Sequence, residues 1–327
     1  MRRLVFLAAG LALLLCVGAA AFGGGESSPS DSTAGRWLIN GKAGDVNAYG
    51  WPVRPFADTH PVRGNFCDPR YTKSSATFHF GIDISAPDGT SVYPVRSGVV
   101  YLRGDHPDVV GVTSADGRSR FEYWHITPAV RTGERAVART TLLGWIKKGR
   151  AHVHFTEIND RVWVNPLRPG ALGPYDDSTA PVVGAIRFER AGHMISPERI
   201  SGVVDIVAAA YDTPSLSAPE PWATLPVTPV VVRWRLLHQR VPLTRWQTVV
   251  DCSRSLPLAN AFADVYTGRT RKSGPGKPGR YDYSLARGWR SESLPRGVYR
   301  IEVVALDVRG NRGEHMLDFT IVGRDLP

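Results

Sequence analysis

The chain has 327 residues, 43% of them hydrophobic and 21% charged, which excludes disordered, collagen-like and coiled-coil architectures and leaves room for two compact domains. With 40 Lys and Arg against 30 Asp and Glu, the net charge is +10. That favours anionic partners in general, whether nucleic acid, lipid head groups or acidic wall polymers, and the 25 Pro and 33 Gly point to turn-rich β structure rather than a helical bundle.

Met1-Arg2-Arg3 precedes an apolar run from Leu4 to Ala21 that closes on Ala19-Ala20-Ala21. A charged start, a short apolar centre and an Ala-x-Ala ending describe a secretory signal peptide over residues 1–21, with an uncleaved anchor as the alternative. Export follows from either, and a membrane is expected as a partner only through this segment. Cys16 stands where a lipoprotein cysteine would, but Leu15 before it is larger than the small residue such sites prefer, so Cys16 reads as an apolar signal residue. Residues 22–50 form a linker, and the stretch from Phe22 to about Arg36 has the Gly/Ser/Pro/Thr composition of a tether.

From Trp51 onward the short apolar runs Thr90–Val95, Gly98–Leu102 and Val109–Thr113 are rich in Val and Tyr and punctuated by Pro-Asp-Gly, Ser-Gly and Asp-Gly turns, which predicts strands. A Pro- and Asp-rich break from Pro166 to Pro181 separates this block, residues 51–170, from a second, residues 181–327. There Gly202–Ala210 and Gly297–Asp307 alternate apolar residues with period two, Arg309-Gly310-Asn311 supplies a turn, and Met316–Val322 follows. The fold class is all-β, with a β-sandwich in the second block. Cys67 and Cys252, one in each block, would staple the domains if bonded; a bridge and two free thiols both remain open.

Two short motifs carry the chemistry: His79-Phe80-Gly81-Ile82-Asp83 and His152-Val153-His154. Residues two or four apart in an extended strand share a face, so two such strands side by side would gather imidazoles and a carboxylate around one point. Gly81 and the following Ser85-Ala86-Pro87-Asp88-Gly89 argue against a helix. Two histidines and a carboxylate are a common catalytic zinc set, because they hold the ion and leave a coordination position open. Tyr123-Trp124-His125-Ile126 adds a histidine at the end of a strand-like run, where it would serve in proton transfer.

The ordered series His79-Phe-Gly-Ile-Asp83-Ile-Ser-Ala-Pro-Asp-Gly89, Val95-Arg-Ser-Gly98, Tyr123-Trp-His125-Ile and His152-Val-His154-Phe closely resembles the lysostaphin-type (LytM-like) zinc metalloendopeptidases, from about Trp51 to Pro166. The resemblance implies a β-sheet catalytic domain that cuts peptide cross-bridges or stem peptides of bacterial peptidoglycan. It implies Zn2+ ligands at His79, Asp83 and His154 and catalytic histidines at His125 and His152. Ligation requires neutral imidazoles and an ionised carboxylate, so occupancy and activity are expected to fall in acid. Where the family usually carries a Gly/Ser/Thr-rich loop ending in Pro-His-Leu-His, this chain has Gly144-Trp-Ile-Lys-Lys-Gly-Arg-Ala151, which puts substrate preference in question more than chemistry. Trp37 to Asn47 is long enough to cross the groove as a proregion, with Asn40, Asp45 or Asn47 offering an oxygen ligand. The alternation from Gly297 to Asn311 resembles the final strands of bacterial immunoglobulin-like modules, which implies a targeting or spacing role.

Other signals read more plainly. Asp105-His106-Pro107-Asp108 is expected to be a solvated loop rather than a second metal site, and Arg269 to Arg280 an exposed basic loop rather than an anchor for wall polymers. Trp222, Trp234, Trp246 and Trp289 are expected in the sandwich core. No nucleic-acid motif accompanies the charge, so nucleic acid is not expected as a partner. Against the endopeptidase stands a non-enzymatic LytM-like regulator of another wall hydrolase, which loss of any ligand position would have favoured.

Overall fold

The computed structural model describes residues 49–72 and 75–322; the expected signal peptide, tether and groove-crossing segment lie outside the described residues. Within them the chain is all-β. Helix is confined to one turn, Phe262–Val265, and three 3-10 turns. No helix among the described residues is long and apolar enough to cross a membrane.

An antiparallel sheet in the order Val62–Gly64, Ile82–Ser85, His152–Asn159, Ser119–Trp124, Val109–Ser114, Gly98–Leu102 and Arg135–Ala136 carries Asp83, His152 and His154, with Val162–Val164 folded back on His152–Asn159. Alternation divides the central strand between two environments. Val153 and Phe155 join Ile82, Ile84, Phe121 and Tyr123 in a core from which water is excluded, each large side chain contributing about 2–3 kcal/mol. His152, His154 and Thr156 take the opposite face. Glu157 also points inward, and is satisfied there by two donors from Arg168 at 2.7 and 2.6 Å and by the Tyr49 hydroxyl.

The predicted strand Thr90–Val95 shortens to Ser91–Val92. Pro94 has no amide to extend a ladder, and the Val95 amide donates instead to the Tyr123 hydroxyl at 2.8 Å. Ser91–Val92 pairs with Gly144–Ile146 and, through it, Ile126–Pro128 in a small second sheet.

Beyond the strand-free stretch 165–181 lie two further antiparallel sheets. One runs His193–Ile195, Val182–Arg190, Val203–Tyr211, Asp282–Arg290; the other runs Val241–Pro242, Val231–His238, Gly297–Leu306, Arg312–Ile321, with Gln247–Asp251 beside Val231–His238. They pack through Phe188 on Phe319, ring centroids 5.0 Å apart. Of the four tryptophans expected in this core only Trp234 is fully buried. Trp289 meets Phe319 edge-on, while Trp246 and Trp222 lie beneath the guanidinium groups of Arg235 and Arg63 at 4.3 and 4.4 Å. An aromatic ring at a sheet margin packs as well under a cation as under an aliphatic chain.

The first sheet and the later ones are joined covalently and by buried polar contacts. Cys67 and Cys252 form a disulfide, Cα atoms 6.3 Å apart, so the bridge is the alternative realised. Around it Asp68 accepts from the Thr228 amide at 2.8 Å, Asn65 donates to the Thr228 carbonyl at 3.1 Å, and the Tyr266 hydroxyl donates to the Cys67 carbonyl at 3.0 Å. A second junction gathers Asp177, Asp212 and Asp307. Burial, reinforced by Asp307 and Asp177, pushes the Asp212 carboxyl up to about 8, and burial pushes Asp307 up to about 6.

Two measurements follow from these junctions. Because Asp212 has a raised pKa when folded, its contribution is full below its ordinary value and is lost as pH rises toward about 8. Asp212→Asn keeps an acceptor for the Thr213 amide and is expected to raise Tm by roughly 2–6 °C near pH 9 in chelator-containing buffer, with little gain near pH 4. A uniform gain across pH would contradict burial of a titrating carboxyl. Replacing both Cys67 and Cys252 with serine, which opens a link spanning 185 residues, is expected to cost about 2–4 kcal/mol in denaturant unfolding.

Candidate metal centre

Strand register assembles the site. His154 lies directly across from Asp83 on one side and from Trp124 on the other, and period-two alternation puts His152 on the same face. His79 was expected within a strand but sits just after Ala76–Phe78, where the chain bends through Phe80 and Gly81 before Ile82–Ser85 begins. The bend needs glycine. A Cβ at Gly81 would lie 2.3 Å from the Phe155 carbonyl oxygen and 2.8 Å from His154 Cε1, so only a bare Cα lets the turn lay His79 over the central strand.

The donor atoms converge. His79 Nε2 is 2.7 Å from His154 Nδ1, His154 Nδ1 is 3.0 Å from Asp83 Oδ1, and His79 Nε2 is 3.3 Å from the same oxygen. The far side of each ring is occupied: His79 Nδ1 lies 2.8 Å from the Asn65 carbonyl and His154 Nε2 lies 2.9 Å from Thr156 Oγ1. With those outer nitrogens donating, both inner nitrogens present lone pairs. Two lone-pair nitrogens and a carboxylate oxygen facing each other without a proton to share is a donor set that fits a cation.

Two more imidazoles border this point. His152 Nε2 is 3.7 Å from Asp83 Oδ1, while its Nδ1 lies 2.7 Å from the Arg150 carbonyl. His125 stands beside it, ring centroids 4.9 Å apart. His125 interrupts the run between Ser119–Trp124 and Ile126–Pro128 with φ of 66°, a left-handed conformation that costs a non-glycine residue about 1 kcal/mol or more and turns the ring toward the site.

The electrostatics suit ligation and proton acceptance. Burial, helped by the Arg70 guanidinium, pushes His79 down to about 3, and burial pushes His152 down to about 4. His125 is lowered by burial and by His154. All three are therefore neutral at neutral pH. Burial disfavours the Asp83 carboxylate, but His79, the Arg70 guanidinium at 2.9 Å and the imidazole hydrogen bonds outweigh it and hold Asp83 well below the usual carboxylate range.

The motifs did not disclose the residues that hold these groups in place. Thr156 continues the alternation of His152 and His154 and was legible by period alone. Asn65, Arg70 and Arg63 are brought in by the segment that precedes His79 and carried no local signal. Asp108, in the loop read as merely solvated, comes within 3.6 Å of His125 Nδ1. Asp88, read as a turn residue, accepts from the amides of Gly149, Arg150 and Ala151 at 2.6, 3.1 and 2.7 Å, which fixes the unusual loop leading into His152.

No protein-family model matches the chain, and no curated protein does. Among solved structures it is similar to a zinc-containing peptidase from Vibrio cholerae, at 19% identity over 36% of this chain and a TM-score of 0.30. It is also similar to the M23 metalloprotease pseudoalterin, at 16% identity over 45% of this chain and 93% of that one with a TM-score of 0.30. The catalytic domain of lysostaphin from Staphylococcus simulans matches at 23% identity over 40% of this chain and 93% of that one, with a TM-score of 0.26. The chain spans 38% of the Vibrio cholerae peptidase. At these values the likenesses are slight, and the chemistry rests on the site's own residues.

Gly81→Ala is expected to destabilise the chain by about 1–3 kcal/mol in denaturant unfolding and to weaken zinc uptake in the same protein, since the added Cβ displaces either the Phe155 carbonyl or His154. Unchanged zinc affinity with unchanged stability would contradict the close approach.

Proposed function

We propose that the protein is an exported zinc-dependent endopeptidase that cleaves peptide cross-bridges or stem peptides of bacterial peptidoglycan. The observation that carries the reading is the convergence of His79, Asp83 and His154 with two further neutral imidazoles, His125 and His152, at the same point. A site for structural metal alone would have no use for the extra pair, and a regulator that had lost its chemistry would have no reason to keep all five.

Zinc, when bound by His79 Nε2, His154 Nδ1 and Asp83, would polarise the scissile carbonyl and acidify a water. The protein's own groups do the rest. His152, whose Nδ1 lies against the Arg150 carbonyl, turns Nε2 toward Asp83 and, with a lone pair there, accepts or positions the water's proton. His125, held in its left-handed turn beside Asp108, donates to the oxygen on which negative charge develops. Phe80 stacks edge-on against His154 at 4.9 Å and against Trp124 at 5.5 Å, which gives the cleft an apolar margin that limits water around the reacting groups. The sandwich of the C-terminal block, read as an immunoglobulin-like module, serves in targeting or spacing. Residues 1–21 direct export.

The test pairs zinc content by elemental analysis with release of new amino groups from purified peptidoglycan. The wild-type chain is expected to hold one zinc and to cleave. His154→Ala loses both, whereas His125→Ala keeps zinc and loses about 10²–10⁴-fold in rate. Zinc uptake without cleavage, together with stimulation of a second wall hydrolase, would replace this reading by the regulator.

A further inference from the structure

The turn that delivers His152 is gripped through both its amides and its carbonyls. Asp88 accepts from the amides of Gly149, Arg150 and Ala151. The Arg63 guanidinium donates to carbonyls of the same turn, to Arg150 through NH2 at 2.7 Å and to Ala151 through NH1 at 3.3 Å. Its NH2 group also lies 2.6 Å from His152 Nδ1, the nitrogen that stands 2.7 Å from the Arg150 carbonyl. Three consecutive residues, ending in His152, therefore rest on one guanidinium. The grip is needed because Ala151 has φ of 48°, a left-handed conformation that a residue with a Cβ keeps only where its surroundings fix it.

What lies beneath Arg63 comes from the C-terminal block. Its guanidinium carbon stands 4.4 Å from the centre of the Trp222 ring. The loop bearing that ring is closed on itself: the Trp222 amide donates to the Pro219 carbonyl at 3.0 Å and the Thr224 amide to Ser217 Oγ at 3.0 Å. It is also tied to the basic segment Arg269 to Arg280, which is largely exposed, as its composition predicted. The Gly276 amide donates to the Pro221 carbonyl at 2.7 Å, and Ser273 Oγ to the Pro226 carbonyl at 2.6 Å. A ring fixed in this way sets the plane of the guanidinium above it, and donation to two carbonyls at once depends on that plane.

We infer, on the endopeptidase reading of His152, that Trp222 is a positioning residue for the catalytic centre: acting through Arg63, it holds the turn 149–151 and with it His152, so that the C-terminal block completes the active site as well as serving in targeting or spacing. Placement is what the contact supplies. His152 Nε2 stands 3.7 Å from Asp83 Oδ1, and displacing a proton acceptor by about 1 Å costs up to about 10²-fold in rate. Ligation is held separately, since strand register fixes His154 between Asp83 and Trp124. The signature of Trp222 is therefore a loss of rate with zinc retained.

The test uses the full chain and measures zinc content, kcat and KM for amino-group release from soluble cross-linked peptidoglycan fragments, and amide hydrogen exchange over residues 147–152. Trp222→Ala, at a partly exposed position, is expected to keep zinc and Tm, to lower kcat about tenfold with KM changed less than about threefold, and to speed exchange at the Gly149, Arg150 and Ala151 amides. Trp222→Phe, which keeps a ring under the guanidinium, restores kcat to within about threefold of wild type. Arg63→Lys, whose ammonium lacks the planar fork, loses at least as much as Trp222→Ala, and because it leaves the Trp222 loop intact it carries the same test if Trp222→Ala is too unstable to assay. Trp246→Ala removes a similar ring from beneath Arg235 within the C-terminal block and leaves all these quantities unchanged. An unaltered kcat in Trp222→Ala, a rise in KM alone, a lower kcat with unaltered exchange, or loss of zinc along with rate would overturn the inference. Exchange needs no turnover, so faster exchange over 149–151 in Trp222→Ala, where the wild type binds zinc but does not cleave, would sink the endopeptidase reading and leave the grip on the turn standing. Cleavage by the wild type with unaltered kcat and exchange in Trp222→Ala would do the reverse.

Discussion

Everything at the site depends on the strand His152–Asn159 being paired on both sides. Its antiparallel partners fix His154 against Asp83 on one flank and Trp124 on the other, and because side chains alternate strictly, a slip of one residue would turn His152 and His154 into the core and Val153 and Phe155 out to the site. The apolar face prevents that slip. Val153 and Phe155 have no exposure, and the loss of their burial would far exceed any gain from alternative pairings, so packing on one face sets the chemistry on the other.

Burial then tunes what register has placed. Imidazoles removed from water lose their affinity for protons, and the Arg70 guanidinium adds to this at His79 while helping to keep Asp83 charged. One partly buried arginine therefore serves opposite needs at two ligands: a neutral ring and an ionised carboxylate, the forms a divalent cation requires. Arg70 is held in turn by Asp68, which also accepts from the Thr228 amide of the later sheets. The electrostatic state of the centre is thus linked through two hydrogen-bonded steps to the far half of the chain.

That linkage makes the C-terminal block more than an appendage. The disulfide, the Asn65, Asp68 and Tyr266 hydrogen bonds and the rings of Phe78, Phe262 and Tyr266 form one continuous contact. Buried polar contacts of this kind are directional and costly to leave unmet, so they set the orientation of the blocks, while apolar packing supplies most of the adhesion. With orientation set, Trp222 lies beneath the Arg63 guanidinium.

The all-β class, the strands Gly98–Leu102 and Val109–Ser114, and the shared face of His152 and His154 were legible in the sequence, because alternation with period two and turn residues are local properties. The five residues proposed for ligation and proton transfer were legible as ordered motifs. Arg70, Asn65, Asp108 and Arg63 were not, since each reaches the site through a separate loop or strand and carries no spacing relative to the histidines. The same limit explains Trp222, read as core and found under a guanidinium, and Cys67 with Cys252, whose spacing left a bridge and free thiols equally open. The sequence by itself determined which side chains alternate, where the chain turns and which residues are able to bind or accept a proton. Only the tertiary structure decided which of them meet, because strand order, register across distant segments and the burial that shifts their pKa values arise from packing between residues far apart in the chain.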